Sequence, residues 1–166
     1  MNYYTNYNSI LGRLTIVSDG ENLTGLYFEG QCKLKDCVKN DELKIFEAVR
    51  HWLDSYFKGE RVTADSIPIK FRGTDFRLKV WKELLKIPYG EVTTYGAVAK
   101  RIGSDKMSSR AVGGAVGHNP IAIIVPCHRV IGAEGKLTGY SGGMEKKIKL
   151  LQIEDIDTNK LNVKDK

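Results

Sequence analysis

The chain is poor in cysteine: three in 166 residues, at positions 32, 37 and 127. That number is odd and the spacing forms no framework, so a disulfide-stapled secreted domain is excluded and free thiols in a reducing compartment are expected. Cys32 and Cys37 form neither a C-x-x-C pair nor a cluster with a histidine pair, which argues against a zinc site, and no metal is expected. No apolar run approaches the ~20 residues needed to cross a bilayer. The first ten residues lack the basic segment and apolar stretch of a secretory leader, so a cytoplasmic protein without membrane association is expected. Internal repeats and low-complexity tracts are also missing.

What remains is ordinary globular composition, 42% hydrophobic and 28% charged, enough for one domain or two small ones. The charge is unevenly placed. Residues 1–72 hold ten Lys+Arg against ten Asp+Glu, whereas residues 73–166 hold sixteen against ten, so the whole net charge of +6 lies in the second part. A basic half suits a polyanion, with DNA the obvious candidate; a lysine-rich solubilising surface is the alternative.

Leu14–Val17 and Leu23–Phe28 are β-rich runs around a Ser-Asp-Gly-Glu-Asn turn and predict a hairpin. Residues 41–58 place apolar side chains at 43, 46, 49, 53 and 57 and at 45, 49, 52 and 56, the period of a helix with a broad buried face that Gly59 ends. Ile67–Phe71, with Pro68 inside it, reads as an edge strand. Residues 1–72 thus form a small α/β domain, a β-sheet plus a helix. Gly73-Thr74 marks the join, and Thr74 suits the N-cap of a helix over 75–86. Thr94 caps a short helix that Gly103 stops, and Ser108 or Ser109 opens another running to about His118, which makes a helix-turn-helix. Ile121–Val125 and Val130–Ile131 are strand-like, and the turn at 133–136 suggests a wing-like hairpin. A last helix spans 144–154, and residues 156–166 read as a frayed polar tail. Residues 73–155 make a second, mainly α domain.

Pro126-Cys127-His128-Arg129-Val130 concentrates the chemistry. Only a thiolate is a good nucleophile, and an adjacent base makes it available near neutral pH. The proline is expected to hold the approach to Cys127 extended. In such a strand Cys127 and His128 would face opposite ways, so a turn or a bridging water is needed between them. A buried structural cysteine is the bland alternative. Arg110 heads a segment, Ala111-Val112-Gly113-Gly114, whose helical glycines cost about 1 kcal/mol each relative to alanine. They suit either deep entry into a DNA groove or close helix–helix packing. Tyr95 opens the first helix of the pair and by itself reads as a core aromatic. Glu154, by itself, reads as a solvated helix-end residue, His51 as a first-domain helix residue, and His118 as a helix-end residue within reach of phosphate.

Arg110-Ala-Val-Gly-Gly-Ala-Val, Asn119-Pro120, Pro126-Cys-His-Arg-Val, Gly139-Tyr-Ser-Gly-Gly and Leu150-Leu-Gln-Ile-Glu154 follow one another at short spacings. Over residues 73–155 this resembles the O6-alkylguanine-DNA alkyltransferases, the methylated-DNA–protein-cysteine methyltransferases. The first seventy residues carry no motif of similar force. The resemblance implies a ribonuclease-H-like first domain and a winged helix-turn-helix second domain. It implies a monomer that binds double-stranded DNA through the minor groove and flips out O6-methylguanine. The alkyl group then passes irreversibly to Cys127, and O4-methylthymine is an expected second substrate. No cofactor is implied. Glu154 would orient His128, which takes the thiol proton through water, while Tyr95 would contact the target nucleotide. Arg110, Ala111, Gly113 and Gly114 would engage DNA, with Arg110 filling the vacated space in the stack. Asn119, Val130, Tyr140, Ser141 and Gly142 would line the base pocket. Some members hold a structural zinc in the first domain, but its ligands are not evident here. One extra residue between Tyr95 and Arg110, relative to some members, predicts an altered turn. The rivals are a non-catalytic alkylated-DNA recognition protein, a winged-helix transcription factor and a Cys-His hydrolase.

Overall fold

A computed structural model describes residues 1–32, 34–103 and 109–163, with residues 162 and 163 described by backbone alone. The chain divides into two compact units, residues 1–72 with 120–122, and residues 73–119 with 123–166.

The first unit is a four-stranded sheet with one helix. Strand β1 (Asn2–Ser9), which the hairpin reading of the sequence missed, pairs antiparallel with β2 (Gly12–Ser18). β2 pairs antiparallel with β3 (Leu23–Phe28), and β4 (Cys37–Lys39) runs parallel to β1, giving the order β3-β2-β1-β4. Leu14, Ile16, Leu26 and Phe28 are buried, as are Phe46, Val49, Leu53 and Tyr56 of helix α1 (Lys44–Phe57). The helical spacing of apolar residues thus marks the face that is removed from water, and Gly59 leaves the helix at φ +84°. The expected strand at 67–71 shrinks to one bridge, Ile69 beside Leu23, because Pro68 has no N–H to extend a ladder. Pro120–Ala122 add to this unit through hydrogen bonds with both backbone polar groups of Leu26.

The second unit is mainly helical. Thr74 caps α2 (Asp75–Leu84), accepting a hydrogen bond from the Arg77 N–H at 3.2 Å. Val80, Trp81 and Leu84 of α2 are buried, and the Trp81 indole N–H donates to the Ala115 carbonyl at 2.9 Å. Thr94 caps α3 (Tyr95–Arg101), and Gly103 ends it at φ +77°. α3 packs against α4 (Ser109–Gly117), and α4 packs against α2. The turn between α3 and α4, including Ser108 and the expected extra residue, lies outside the described residues. α5 spans Met144–Ile153.

Two irregular segments differ from expectation. Ile121–Val125 is no strand: Ile121 makes one bridge, Ala122–Ile124 turn, and Ile123 sits at φ +68°. Its five apolar side chains are all buried, and burial alone cannot distinguish a strand from a packed turn. The wing-like hairpin is likewise replaced. β6 (Val130–Ile131) pairs parallel with β5 (Thr93–Thr94), and β7 (Lys136–Leu137) pairs parallel with β8 (Asn162–Val163). The tail is therefore tied down as far as residue 163. Ile156 and Leu161 pack on the buried trio Ile131, Leu137 and Leu151, apolar anchors hidden in a polar stretch. No helix among the described residues is long and apolar enough to cross a membrane.

Candidate active site

Pro126 does not extend the chain before Cys127; it bends it. At φ −82° and ψ 65° it is the centre of an inverse γ-turn, closed by the Cys127 N–H donating to the Val125 carbonyl at 2.8 Å. Proline has its φ already set for this turn and no N–H to leave unsatisfied. A 3-10 turn over Cys127–Arg129 follows. Cys127 and His128 therefore do not sit in an extended strand, where neighbouring side chains alternate between faces.

The turn buries all three side chains, with Cys127 5% exposed and His128 fully enclosed. The His128 Nε2–H donates to Glu154 Oε2 at 2.5 Å, which leaves Nδ1 as the atom able to accept a proton. Glu154 is the C-cap of α5 and only 2% exposed, so it is not the solvated helix end that its position alone suggests. Its Oε1 accepts from the Arg129 guanidinium at 2.7 Å and from the Gly90 N–H at 3.0 Å. Arg129 is itself fixed by the Ile87 carbonyl at 2.7 Å and lies over the Tyr89 ring. Burial alone would raise the Glu154 pKa, but hydrogen bonds and charge from His128 and Arg129 bring it down to about 2. For His128, burial outweighs the carboxylate and lowers the pKa, so the imidazole is neutral at pH 7 and ready to act as a base.

Burial also raises the Cys127 pKa. The polar groups of Asn119 and Tyr140 and the charge of Lys147 oppose that rise. Asn119 also donates to the Val125 carbonyl at 2.9 Å, which fixes the turn before the cysteine. Cys127 opens on a cavity of about 580 Å3, lined also by Tyr95, Arg110, Gly113, Thr138, Tyr140 and Ser141. Tyr95, held at the start of α3 by the Thr94 cap, is hydrogen-bonded to Thr138; burial raises its phenol pKa, so it stays protonated at neutral pH. Arg110 is exposed in the first turn of α4.

Ala111, Gly114, Asn119, Val130 and Gly142 are not among the residues lining the cavity. Val130 is wholly buried behind it, and Gly114 is exposed. Among the described residues, a Cβ at Gly114 would meet nothing within 4 Å, and one at Gly113 would touch only the Tyr95 ring at 3.9 Å. No described neighbour therefore requires glycine at either position. His51 and His118 are exposed, and His118 Nδ1–H donates to the Gly114 carbonyl. Sequence reasoning missed Arg129, Thr138 and Lys147. Arg129 sits inside the motif that carries Cys127 and could have been weighed there; the other two carry no local signal.

A family model described as "6-O-methylguanine DNA methyltransferase, DNA binding domain" matches residues 75–156, and one described as "6-O-methylguanine DNA methyltransferase, ribonuclease-like domain" matches residues 2–71. The second match covers the region that showed no motif. A methylated-DNA–protein-cysteine methyltransferase of Haemophilus influenzae is 49% identical over 93% of this chain and 87% of its own length. One of Methanosarcina acetivorans is 46% identical over 92% of this chain and 97% of its own. Among solved structures, Mycobacterium tuberculosis OGT in complex with DNA superposes with a TM-score of 0.86 at 44% identity, covering 96% of this chain and 95% of that one. With Cys127 opening on a cavity, His128 paired with a buried Glu154, and similarity running through both units, this chain belongs to the 6-O-methylguanine DNA methyltransferase family.

Proposed function

We infer that this protein repairs alkylated DNA by taking the alkyl group of O6-methylguanine onto its own Cys127. The observation that carries the reading is the turn that puts the thiol at a cavity and buries His128 against Glu154 beside it. O6 lies inside the base stack, so the damaged nucleotide must be extruded, and a damaged pair costs less to open. The basic second unit binds duplex DNA through the helix pair α3 and α4. α4 approaches the minor groove along its glycine face and Arg110 enters the vacated stack. The first unit is the ribonuclease-H-like domain of the family. The protein acts as a monomer in the cytoplasm, wherever DNA is accessible.

His128 Nδ1 accepts the thiol proton through water, and Glu154 stabilises the imidazolium. The thiolate lone pair forms the S–C bond as the C–O6 bond breaks, and its electrons flow into the purine. The Tyr95 O–H meets that charge at N3 as a donor, and Ser141 with the loop backbone does so at O6. The product thioether carries no activated leaving group, so water does not release it and each molecule acts once. Nothing in this sequence calls for a cofactor. O4-methylthymine presents the same alkyl ether and is a second substrate. The alternative, recognition of the lesion without chemistry, leaves the paired His128 and Glu154 without a purpose.

The test is a duplex carrying one O6-methylguanine, followed by peptide mass analysis. One methyl group on the Cys127 peptide, saturating at one per protein, is expected. Binding of the lesion with no mass change would make this a recognition protein.

A further inference from the structure

The turn after α2 touches no reacting atom, yet three of its residues grip the ion pair behind His128. The Glu91 N–H donates to the Pro88 carbonyl at 3.1 Å and closes a turn in which Gly90 takes φ +80°, a conformation that suits glycine. The Gly90 N–H donates to Glu154 Oε1 at 3.0 Å, and the Ile87 carbonyl accepts from Arg129 at 2.7 Å. Tyr89, between them, is buried and reaches both partners of the pair. The Arg129 guanidinium carbon stands 5.7 Å from the centre of its ring, a cation–π distance. Its O–H donates to the Ile153 carbonyl at 3.2 Å. Ile153 is the last residue of α5, where a helix leaves its carbonyls without internal partners, and Glu154 comes next. A carboxylate at a helix C-terminus is disfavoured by the helix dipole, and helix ends fray. Glu154 therefore stands where its charge is least welcome, and a tether from outside the helix holds it there.

We propose that Tyr89 is a positioning residue for alkyl transfer: it clamps the end of α5 and the Arg129 side chain so that Glu154 stays aimed at His128 Nε2. The imidazole takes its tautomer from that carboxylate, which holds the proton on Nε2 and leaves Nδ1 bare. Without the Tyr89 hydroxyl the Ile153 carbonyl is released and the last turn of α5 is free to shift. The carboxylate then drifts towards Arg129, whose charge is permanent, and away from the neutral imidazole. The ring samples the other tautomer, with its proton on Nδ1, and in that form Nδ1 cannot accept a proton from the thiol. Tyr89 itself exchanges no proton in the step.

This inference rests on the alkyl-transfer reading, and its test separates the two. Tyr89→Phe removes the tether and keeps the ring, and Tyr89→Leu removes both. Thr74→Ala, which uncaps α2 at its far end, is the control for lost stability alone. NMR of the protein with its histidine nitrogens isotopically labelled reports the His128 tautomer without DNA, with assignment by elimination from His51→Gln and His118→Gln. Single-turnover methyl transfer at saturating DNA reports the reaction. In the parent the two His128 nitrogens should give well-separated signals, one protonated and one bare. In the Phe variant the signals should move towards one another and transfer should slow roughly fivefold, the scale of one hydrogen bond. Leu should slow it roughly 20-fold, since the cation–π contact goes too. Thr74→Ala should change neither. If Leu fails to fold by circular dichroism, Phe decides. Nitrogen signals in Phe that match the parent's overturn the proposal, even if transfer slows, because a mere strut would do that. Displaced signals with unaltered transfer overturn it as well. Displaced signals in a protein whose parent transfers no methyl group leave the clamp on His128 standing and remove the repair reading.

Discussion

At the scale of single residues, the site depends on one carboxylate serving two partners. Glu154 fixes the His128 ring through one oxygen and neutralises buried Arg129 through the other. Glu154→Gln keeps the shape and removes the charge. Single-turnover transfer should fall about 100-fold, the scale of a lost general base. Urea unfolding should show a loss of about 3 kcal/mol, because Arg129 is left charged, buried and unpaired. Equal loss of activity with unchanged stability would mean that Arg129 finds another anion. Cys127 itself should behave differently: Cys127→Ala abolishes transfer and leaves lesion-DNA affinity intact in a filter-binding assay.

At the scale of elements, caps and glycines make opposite predictions. Thr94 caps α3 and so sets the first turn, where Tyr95 stands. Thr94→Ala should cost about 1 kcal/mol in thermal unfolding and loosen Tyr95 as well. Gly114, by contrast, sits mid-helix with open space around it. Gly114→Ala should stabilise the free protein by about 1 kcal/mol, since alanine is the better helix former. If the glycine face of α4 enters a groove, the same change should weaken DNA binding. A more stable variant with unaltered affinity would remove α4 from the DNA interface.

At the scale of the whole molecule, pH and salt report the same charges. The folded pKa of His128 lies below its ordinary 6.5, and that of Glu154 falls from 4.5 to about 2. In both cases the unfolded chain takes up protons first as the pH falls. The stability these groups contribute is fully present above about pH 6.5 and should be lost progressively between there and pH 2. Urea midpoints across that range test this, and a midpoint that rises on acidification contradicts it. The +6 charge of residues 73–166 should make DNA binding fall linearly on a log–log salt plot, by about 0.9 per phosphate contacted.

Much of this protein was legible in the chain because some signals are local. Helix α1 follows from apolar spacing, and the starts of α2 and α3 from Thr74 and Thr94, whose hydroxyls answer backbone N–H groups three residues away. The chemistry of Cys127 and His128 was readable because the two are adjacent. Strand β1 and the docked tail were not legible, since Tyr-Asn alternation and scattered Ile156 and Leu161 show their purpose only against partners far along the chain. The same holds for the turn at Pro126, which composition renders as a strand. Above all, the ionic character of the site was settled by tertiary structure. Whether Glu154 and Lys147 face water or a buried thiol and imidazole depends on contacts across nine to twenty-six residues, and burial decides what charge each group carries.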